Sequence, residues 1–218
     1  SSLVIGTRVQ IVPQLTLSSV SRLFIFLMYC LGSLLSVNTA TMSEMEKYVL
    51  GIDIGTTSVR SALFNADTGE FSIVKQKTIE QIYPQLGWVE EDAEEIYLST
   101  MLCLNDALET TSLSAKGIGI TNMRETVVAW DKVTQRPLYN AVIWQCRRTK
   151  EYCESMPEKD KKLIKDKTGL VVDAYFSASK IKWLIDNVPQ VKRALNQNRL
   201  MVGTVESYIV YRLTGGKS

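Results

Sequence analysis

The 218-residue sequence contains no histidine. Ser-His-Asp catalysis, Cys-His catalysis and every histidine-ligated metal site are therefore excluded within this chain, because each of them needs an imidazole. Any chemistry that these residues carry out has to use carboxylates, hydroxyls, arginine, lysine or the backbone.

Cysteine is also scarce. The four cysteines, Cys30, Cys103, Cys146 and Cys153, form no Cys-x-x-Cys pair, and no Asn-x-Ser/Thr glycosylation acceptor occurs. Paired cysteines and such acceptors are typical of secreted proteins, so we expect a reduced, intracellular protein, with the cytoplasm as its default location.

Neither sign of charge is in clear excess. The 25 basic and 23 acidic residues give a net charge of +2, and this balance offers no bulk attraction for nucleic acid. Apolar residues make up 45% of the chain, enough for a sizeable core at this length. We expect a soluble globular protein with neither a nucleic-acid nor a membrane partner; its oligomeric state is open, and a homo-oligomer of the full-length form is one option.

Residues 1–42 differ in character from the rest. They contain Arg8 and Arg22 but no acidic residue, and residues 23–37 form a mostly apolar stretch. This stretch is short for a membrane span and is nearer to the core of a signal peptide. Two interpretations stay open: translated upstream sequence before Met42, or a membrane or targeting segment. We treat residues 1–42 as a leader outside the fold, and predict one domain over residues 43–218 that is incomplete at its C-terminal end.

The segments after the leader alternate between strand and helix patterns. Tyr48–Ile54, Val59–Phe64 and Phe71–Ile79 predict three strands in an antiparallel meander. Asp92, followed three residues later by Glu95, predicts a helix start. The predicted helix carries one apolar face that covers the sheet, formed by Tyr97, Met101, Leu104 and Leu108.

The second half continues this alternation. Ile118–Thr121 predicts a short strand, and Thr126–Trp130 with Leu138–Trp144 predicts a hairpin. Helices are predicted over Arg148–Ser155 and Ser177–Asn187, the latter ended by Val188-Pro189. The predicted order, with three strands followed by alternating helices and strands, indicates an α/β domain with a mixed sheet and flanking helices.

The residues Asp53 to Arg60 (DIGTTSVR) form the most informative local motif. An acid at the end of a buried apolar strand is costly to desolvate, and a glycine with three hydroxyl residues offers N–H and O–H donors in a tight turn. The turn can hold phosphate oxygens, with Asp53 on a metal ion. It can equally be a plain hairpin turn whose hydroxyls satisfy Asp53.

This turn resembles the first phosphate loop of the sugar-kinase, actin and Hsp70 superfamily. Later segments, in order, resemble the FGGY carbohydrate kinases, and within them the glycerol kinases: GWVEED, GIGITNMRETVVAWD, PLYNAVIWQCRRT, KTGLVVDAYFSASKIKWLIDNV and GTVESYIVYRLTGG. The resemblance covers residues 48–216. It implies an RNase H-like fold and, for the full-length protein, transfer of the γ-phosphoryl group of ATP, with Mg²⁺, to a terminal hydroxyl of glycerol.

The resemblance also implies site residues. The polyol-binding positions of the family fall on Arg124, Glu125, Trp144 and Tyr175. Guanidinium donors beside a carboxylate acceptor suit vicinal hydroxyls, and Trp144 would cover the carbon face. Arg124 and Glu125 are neighbours in sequence, so they share a pocket only if the chain leaves the preceding strand in an irregular turn.

The nucleotide positions of the family fall on the same turn after the first strand. Contacts to phosphate map to Thr56, Thr57, Ser58 and Arg60, with Asp53 near the magnesium ion. The general base of the family is an aspartate in its second half, which we expect beyond Ser218, so we expect the chain alone to bind weakly and to turn over nothing.

The sequence departs from the family pattern near these positions. Met123 stands where glutamine is usual, Glu91 where histidine is common, and Ile54 where many glycerol kinases have glutamine; Glu206 and Tyr208 replace an aspartate and a tryptophan. Because other sugar kinases share Ile54, a kinase for a ketose or another polyol stays open. A non-catalytic binding fragment is the alternative from another class, and a chaperone or actin-like ATPase is a more distant one.

Overall fold

A computed structural model describes residues 48–111 and 115–217. The predicted leader, residues 1–42, lies outside the described residues. Within the described part, no helix is both long and apolar enough to cross a membrane.

The described residues form nine strands and six helices. In chain order these are β1 (Tyr48–Ile54), β2 (Ser58–Asn65), β3 (Phe71–Thr78), β4 (Gln81–Ile82), β5 (Glu90–Glu91), α1 (Ala93–Thr110), β6 (Gly117–Asn122), β7 (Val127–Asp131), β8 (Ala141–Val142), α2 (Lys150–Ser155), α3 (Glu158–Thr168), α4 (Ser177–Asn187), α5 (Pro189–Asn196), β9 (Leu200–Thr204) and α6 (Val205–Leu213). They confirm the predicted α/β domain with flanking helices.

The first sheet has the strand order β3-β2-β1-β6. Strands β1, β2 and β3 pair antiparallel, which confirms the predicted meander, and β6 lies parallel to β1. Leu50, Ile52 and Ile54 alternate along β1 and are buried. Since side chains alternate between the faces of a strand, Asp53 points to the opposite face from this core.

Helix α1 begins where the sequence predicts. The Asp92 carboxylate accepts hydrogen bonds from the backbone N–H groups of Glu94 (2.8 Å) and Glu95 (3.3 Å). The predicted apolar face was only partly right. Leu104 is buried, whereas the other three predicted residues are only partly buried against the core. The most buried side chains of the helix are those of Ala93, Ile96, Thr100, Cys103 and Ala107. Small side chains let the helix approach the sheet closely, and a pattern built on large residues missed them.

The second sheet, β4-β5-β8-β7-β9, differs from the predicted hairpin. Strand β8 is only two residues long and pairs with β7 at Val142 and Val127, whereas β9, which the sequence pattern did not indicate, pairs along the whole of β7. Strand β7 is buried on both faces: Val127 and Ala129 pack towards α4 and α5, and Val128 and Trp130 join the core around α1 and α6. Burial on both faces removes the alternation that pattern reading relies on.

Two adjacent glutamates of β5 are fully buried in different surroundings. Glu90 accepts hydrogen bonds from Arg148 (2.6 Å), Tyr139 (2.8 Å) and Asn140 (2.8 Å). The carboxylate oxygens of Glu91 have no hydrogen-bond partner in the described part of the chain. Burial accordingly raises the pKa of Glu91 to about 8.

This contrast predicts opposite effects of two identical substitutions. Folded Glu91 keeps its proton up to about pH 8, while the unfolded chain loses it near pH 4.5, so the free energy of unfolding falls as the pH rises between these values. Glu91→Gln removes this penalty. We expect the variant to unfold at higher urea concentration than the parent chain at pH 8, and the difference to shrink towards pH 4.5.

Glu90→Gln is the matched control. It leaves the buried Arg148 guanidinium without its counter-charge, so the free energy of unfolding should drop by about 3 kcal/mol near neutral pH. Equal effects of the two substitutions at pH 8 would contradict the assignment of a paired and an unpaired carboxylate.

Candidate active site

Asp53 lies one residue before the carboxyl end of β1, on the face away from the core. The antiparallel register sets it opposite Arg60 of β2, and Arg60 Nη1 donates to Asp53 Oδ2 at 3.2 Å. The Asp53 side chain is 48% exposed and the Arg60 side chain is 37% exposed. An ion pair this open adds little to stability, so both groups are free to act on a ligand.

The turn from β1 to β2 is tight. The Gly55 N–H donates to the Ser58 carbonyl oxygen at 3.0 Å, and a Cβ at Gly55 would lie 3.3 Å from that oxygen. A side chain at position 55 would therefore crowd the turn. Thr56 is partly exposed and Thr57 is exposed. The Ser58 side chain is buried: it is 2% exposed, and its hydroxyl accepts from Gln76 at 3.4 Å.

The chain leaves β6 in the irregular turn that the sequence analysis required. The Met123 N–H donates to the Ile54 carbonyl oxygen at 2.8 Å, which fixes this turn beside the end of β1. Glu125 has a φ of 64°, in the left-handed region that costs a residue with a side chain about 1 kcal/mol or more. Arg124 precedes it on the turn and is exposed. Ligand sites in α/β sheets commonly lie at such carboxyl ends.

Glu125 is held by helix α4. Its Oε2 accepts from the backbone N–H (2.8 Å) and the hydroxyl (2.7 Å) of Ser177, the first residue of the helix. Phe176, at the N-cap position, makes no side-chain capping bond. The Glu125 carboxylate thus serves as the cap, and the helix N-terminus in turn stabilises its negative charge.

Trp144 connects the two turns. Its indole Nε1–H donates to the Thr56 hydroxyl at 3.0 Å, and its backbone N–H donates to the Thr126 hydroxyl at 3.3 Å. The ring of Tyr175 meets the ring of Trp144 edge-on, with centroids 6.2 Å apart. Trp144, Tyr175 and the Thr56 turn are therefore in direct contact, and Glu125 joins them through Ser177.

The loop that carries Tyr175 is fixed by three charged side chains that the sequence motifs did not indicate. Asp173 Oδ1 accepts from the Tyr175 N–H at 2.7 Å, and Arg147 donates to both carboxylate oxygens of Asp173 at 2.8 and 3.2 Å. The hydrogen bonds from Arg147 lower the pKa of Asp173. Lys180 Nζ donates to the carbonyl oxygens of Ala174 (3.2 Å) and Tyr175. The one sequence feature that could have indicated Lys180 is its position among the apolar residues of the amphipathic helix α4.

The acidic groups of the described residues form no cluster of three that would enclose a metal ion. Asp53 offers a single carboxylate beside the phosphate-loop-like turn. This fits Mg²⁺, which commonly takes one or two protein carboxylates and completes its shell with water and phosphate oxygens.

Comparison with known proteins agrees with this architecture. Residues 48–218 match the N-terminal domain of the FGGY family of carbohydrate kinases. A glycerol kinase from Agathobacter rectalis is 47% identical over 177 residues, which cover 79% of this chain and 35% of that protein. A glycerol kinase from Brachyspira hyodysenteriae is also 47% identical, over 79% of this chain and 36% of its own length.

Solved structures show the same fold. The glycerol kinase of Plasmodium falciparum with ADP superposes with a TM-score of 0.66 at 32% identity, over 78% of this chain and 34% of that one. A ligand-bound xylulose kinase from Lactobacillus acidophilus superposes with a TM-score of 0.65 at 20% identity, over 76% of this chain and 33% of that one, and supports the fold alone.

These matches confirm the predicted RNase H-like fold of the sugar-kinase superfamily. The chain spans about a third of the length of the curated relatives that it matches. Because the family match covers residues 48–218, well over half of the sequence, the chain belongs to the FGGY family of carbohydrate kinases.

Proposed function

We propose that the protein of which this chain is the N-terminal part is a glycerol kinase, which uses ATP to convert glycerol to glycerol 3-phosphate. The observation that carries this proposal is the hydrogen bond from Trp144 to Thr56, because it joins a residue that we propose contacts the polyol to one that we propose contacts phosphate. The identity of 47% to glycerol kinases along the same residues supports the choice of substrate.

The polyol-binding residues supply complementary groups. The Arg124 guanidinium offers N–H donors, and the Glu125 carboxylate offers an acceptor; within the described part, Ser177 occupies only Oε2 of this carboxylate, so Oε1 remains for a hydroxyl. Glu125 is fixed by a helix N-terminus and a strained turn, so it loses little freedom when a polyol binds. Trp144 and Tyr175 present apolar surface to the carbon chain.

The turn between β1 and β2 would hold the phosphates. The Thr56 and Thr57 hydroxyls, the N–H groups of the turn and the Arg60 guanidinium provide donors and positive charge. Ser58 would contribute through its backbone, since its side chain is buried and bonded to Gln76. Phosphoryl transfer depends mostly on positioning and on stabilising the charge that shifts between oxygens.

Asp53 would hold Mg²⁺, directly or through water. The ion would neutralise charge on the phosphates when ATP is bound. Arg60 already contacts Asp53 Oδ2, so this guanidinium orients the carboxylate near the turn. The general base is not among the residues proposed here, and we expect it in the second half of the protein.

Three buried free thiols, Cys103, Cys146 and Cys153, agree with a reducing, cytoplasmic setting.

Substrate profiling of the full-length protein tests the proposal. We expect ATP-dependent phosphorylation of glycerol with a much larger kcat/KM than for xylulose or ribulose, measured by coupled detection of ADP. Phosphorylation of a pentulose but not of glycerol would contradict the proposed substrate and favour the alternative FGGY kinase. Absence of any turnover, with an intact second half, would favour a non-catalytic protein.

Arg124→Ala tests the polyol set. Loss of a charge-assisted hydrogen bond should weaken glycerol binding roughly 10- to 100-fold, measured by calorimetry on the full-length protein. Arg193→Ala, on the exposed side of α5, is the matched control and should bind like the parent. Equal affinity of the Arg124 variant and the parent would remove Arg124 from the site.

Asp53→Asn tests the metal assignment. The amide keeps the shape of the side chain but lacks the charge that Mg²⁺ needs, so kcat should fall by about 100-fold or more, with glycerol affinity unchanged. Asp67→Asn, in the exposed turn between β2 and β3, is the control. A normal kcat with unaltered Mg²⁺ dependence in the Asp53 variant would contradict the role of this carboxylate.

A further inference from the structure

We propose that Lys180 is a positioning residue of the polyol site. Its buried ammonium group fixes the main chain at Ala174 and Tyr175, and thereby orients Tyr175 and the Glu125 carboxylate towards the substrate. The identity of the substrate in this inference rests on the proposed function. The contacts of Lys180 with Ala174 and Tyr175 do not depend on it.

Lys180 is an unusual residue for its place in the fold. It lies on the buried side of α4 and is 0% exposed, yet no carboxylate of the described residues lies within ion-pair distance of its Nζ. A buried ammonium group with only carbonyl partners is costly, and an apolar side chain would fill the same helix face at lower cost. Packing therefore does not explain the lysine.

The partners of Lys180 belong to the polyol loop. Nζ donates to the carbonyl oxygens of Ala174 and Tyr175, and it lies 6.0 Å from the centre of the Tyr175 ring. These residues form no strand or helix, so no regular hydrogen-bond ladder holds their carbonyl groups. The ammonium group of Lys180 replaces that ladder.

Two carboxylates bind the backbone N–H groups of the same loop. The Tyr175 N–H donates to the Asp173 carboxylate at 2.7 Å, and the Ser177 N–H donates to the Glu125 carboxylate at 2.8 Å. The loop is thus fixed between a cation at its carbonyl groups and two carboxylates at its amides. A shift of the Tyr175 carbonyl group would move both the Tyr175 ring against Trp144 and the helix start that caps Glu125.

Two carboxylates around Lys180, those of Glu125 and Asp173, favour its charged form, and the thiols of Cys146 and Cys153 are the other titratable groups nearby. Burial outweighs them and lowers the pKa of Lys180 to about 8. The positive charge is therefore present at neutral pH and is lost within an experimentally accessible range.

Lys180→Met in the full-length kinase is the first test, with Lys182→Met as the matched control. Lys182 lies two residues further along α4, half exposed and paired with Asp186. We expect the KM for glycerol to rise at least about tenfold in the Lys180 variant, with kcat and the KM for ATP within about twofold of the parent. The Lys182 variant should match the parent in all three. A purely structural role would instead lower the unfolding midpoint and leave the KM for glycerol unchanged, which would overturn the proposal.

The parent enzyme provides a test that needs no variant. As Lys180 loses its proton, the KM for glycerol should rise above about pH 8, while the KM for ATP does not follow the same curve. Lys180→Arg, which keeps the charge, should remove this rise. A KM for glycerol that is flat from pH 7 to 9.5 in the parent would overturn the proposal even if Lys180→Met fails to fold.

Amide hydrogen exchange separates this inference from the proposed function. Lys180→Met should speed exchange at Tyr175 and Phe176, and Lys182→Met should not, whichever polyol or ketose the enzyme phosphorylates. If glycerol is not the substrate, the KM comparison applies to the substrate found. Unchanged exchange at Tyr175 in the folded Lys180 variant would overturn the positioning role and leave the proposed function standing.

Discussion

The carboxylate of Glu125 joins two parts of the chain that are 52 residues apart, and the arrangement of the site depends on it. It caps helix α4 through Ser177, and the helix N-terminus in return stabilises the charge of the carboxylate. The left-handed backbone at Glu125 makes this contact possible, because a regular continuation of β6 would send the side chain elsewhere. Local strain is thus balanced by a tertiary contact at the proposed polyol site.

The second sheet gives this site a rigid support. Arg148 packs against the rings of both Trp88 and Trp183, with its guanidinium carbon 4.1 and 4.4 Å from the ring centres, and is paired with the buried Glu90. Cation–π contacts and a buried ion pair are strong only when their geometry is fixed, so this cluster specifies one packing of β5 against α4. Trp144 follows β8 of the same sheet and reaches the Thr56 hydroxyl from there. The turn between β1 and β2 belongs to the first sheet, so this hydrogen bond connects the two sheets at the candidate site.

Local sequence signals predicted much of the fold. The meander of β1 to β3, the cap at Asp92 and helix α4 follow from alternation, capping chemistry and amphipathic spacing, all of which act within a few residues. Strand β9 and the two-faced burial of β7 could not be read in this way. They depend on which distant segment completes the second sheet, and a short apolar run carries no mark of its partner.

The sequence by itself determined the family, and it predicted the site residues around Asp53 and in the polyol set, because the motifs that carry the resemblance are contiguous. It did not indicate that Ser58 is buried, that Glu125 caps a helix or that Lys180 has only carbonyl partners among the described residues. Those features arise from contacts between residues far apart in the chain. Only the tertiary structure decides such contacts, since the cost of burying a charge and the partners that offset it depend on what surrounds the group after folding.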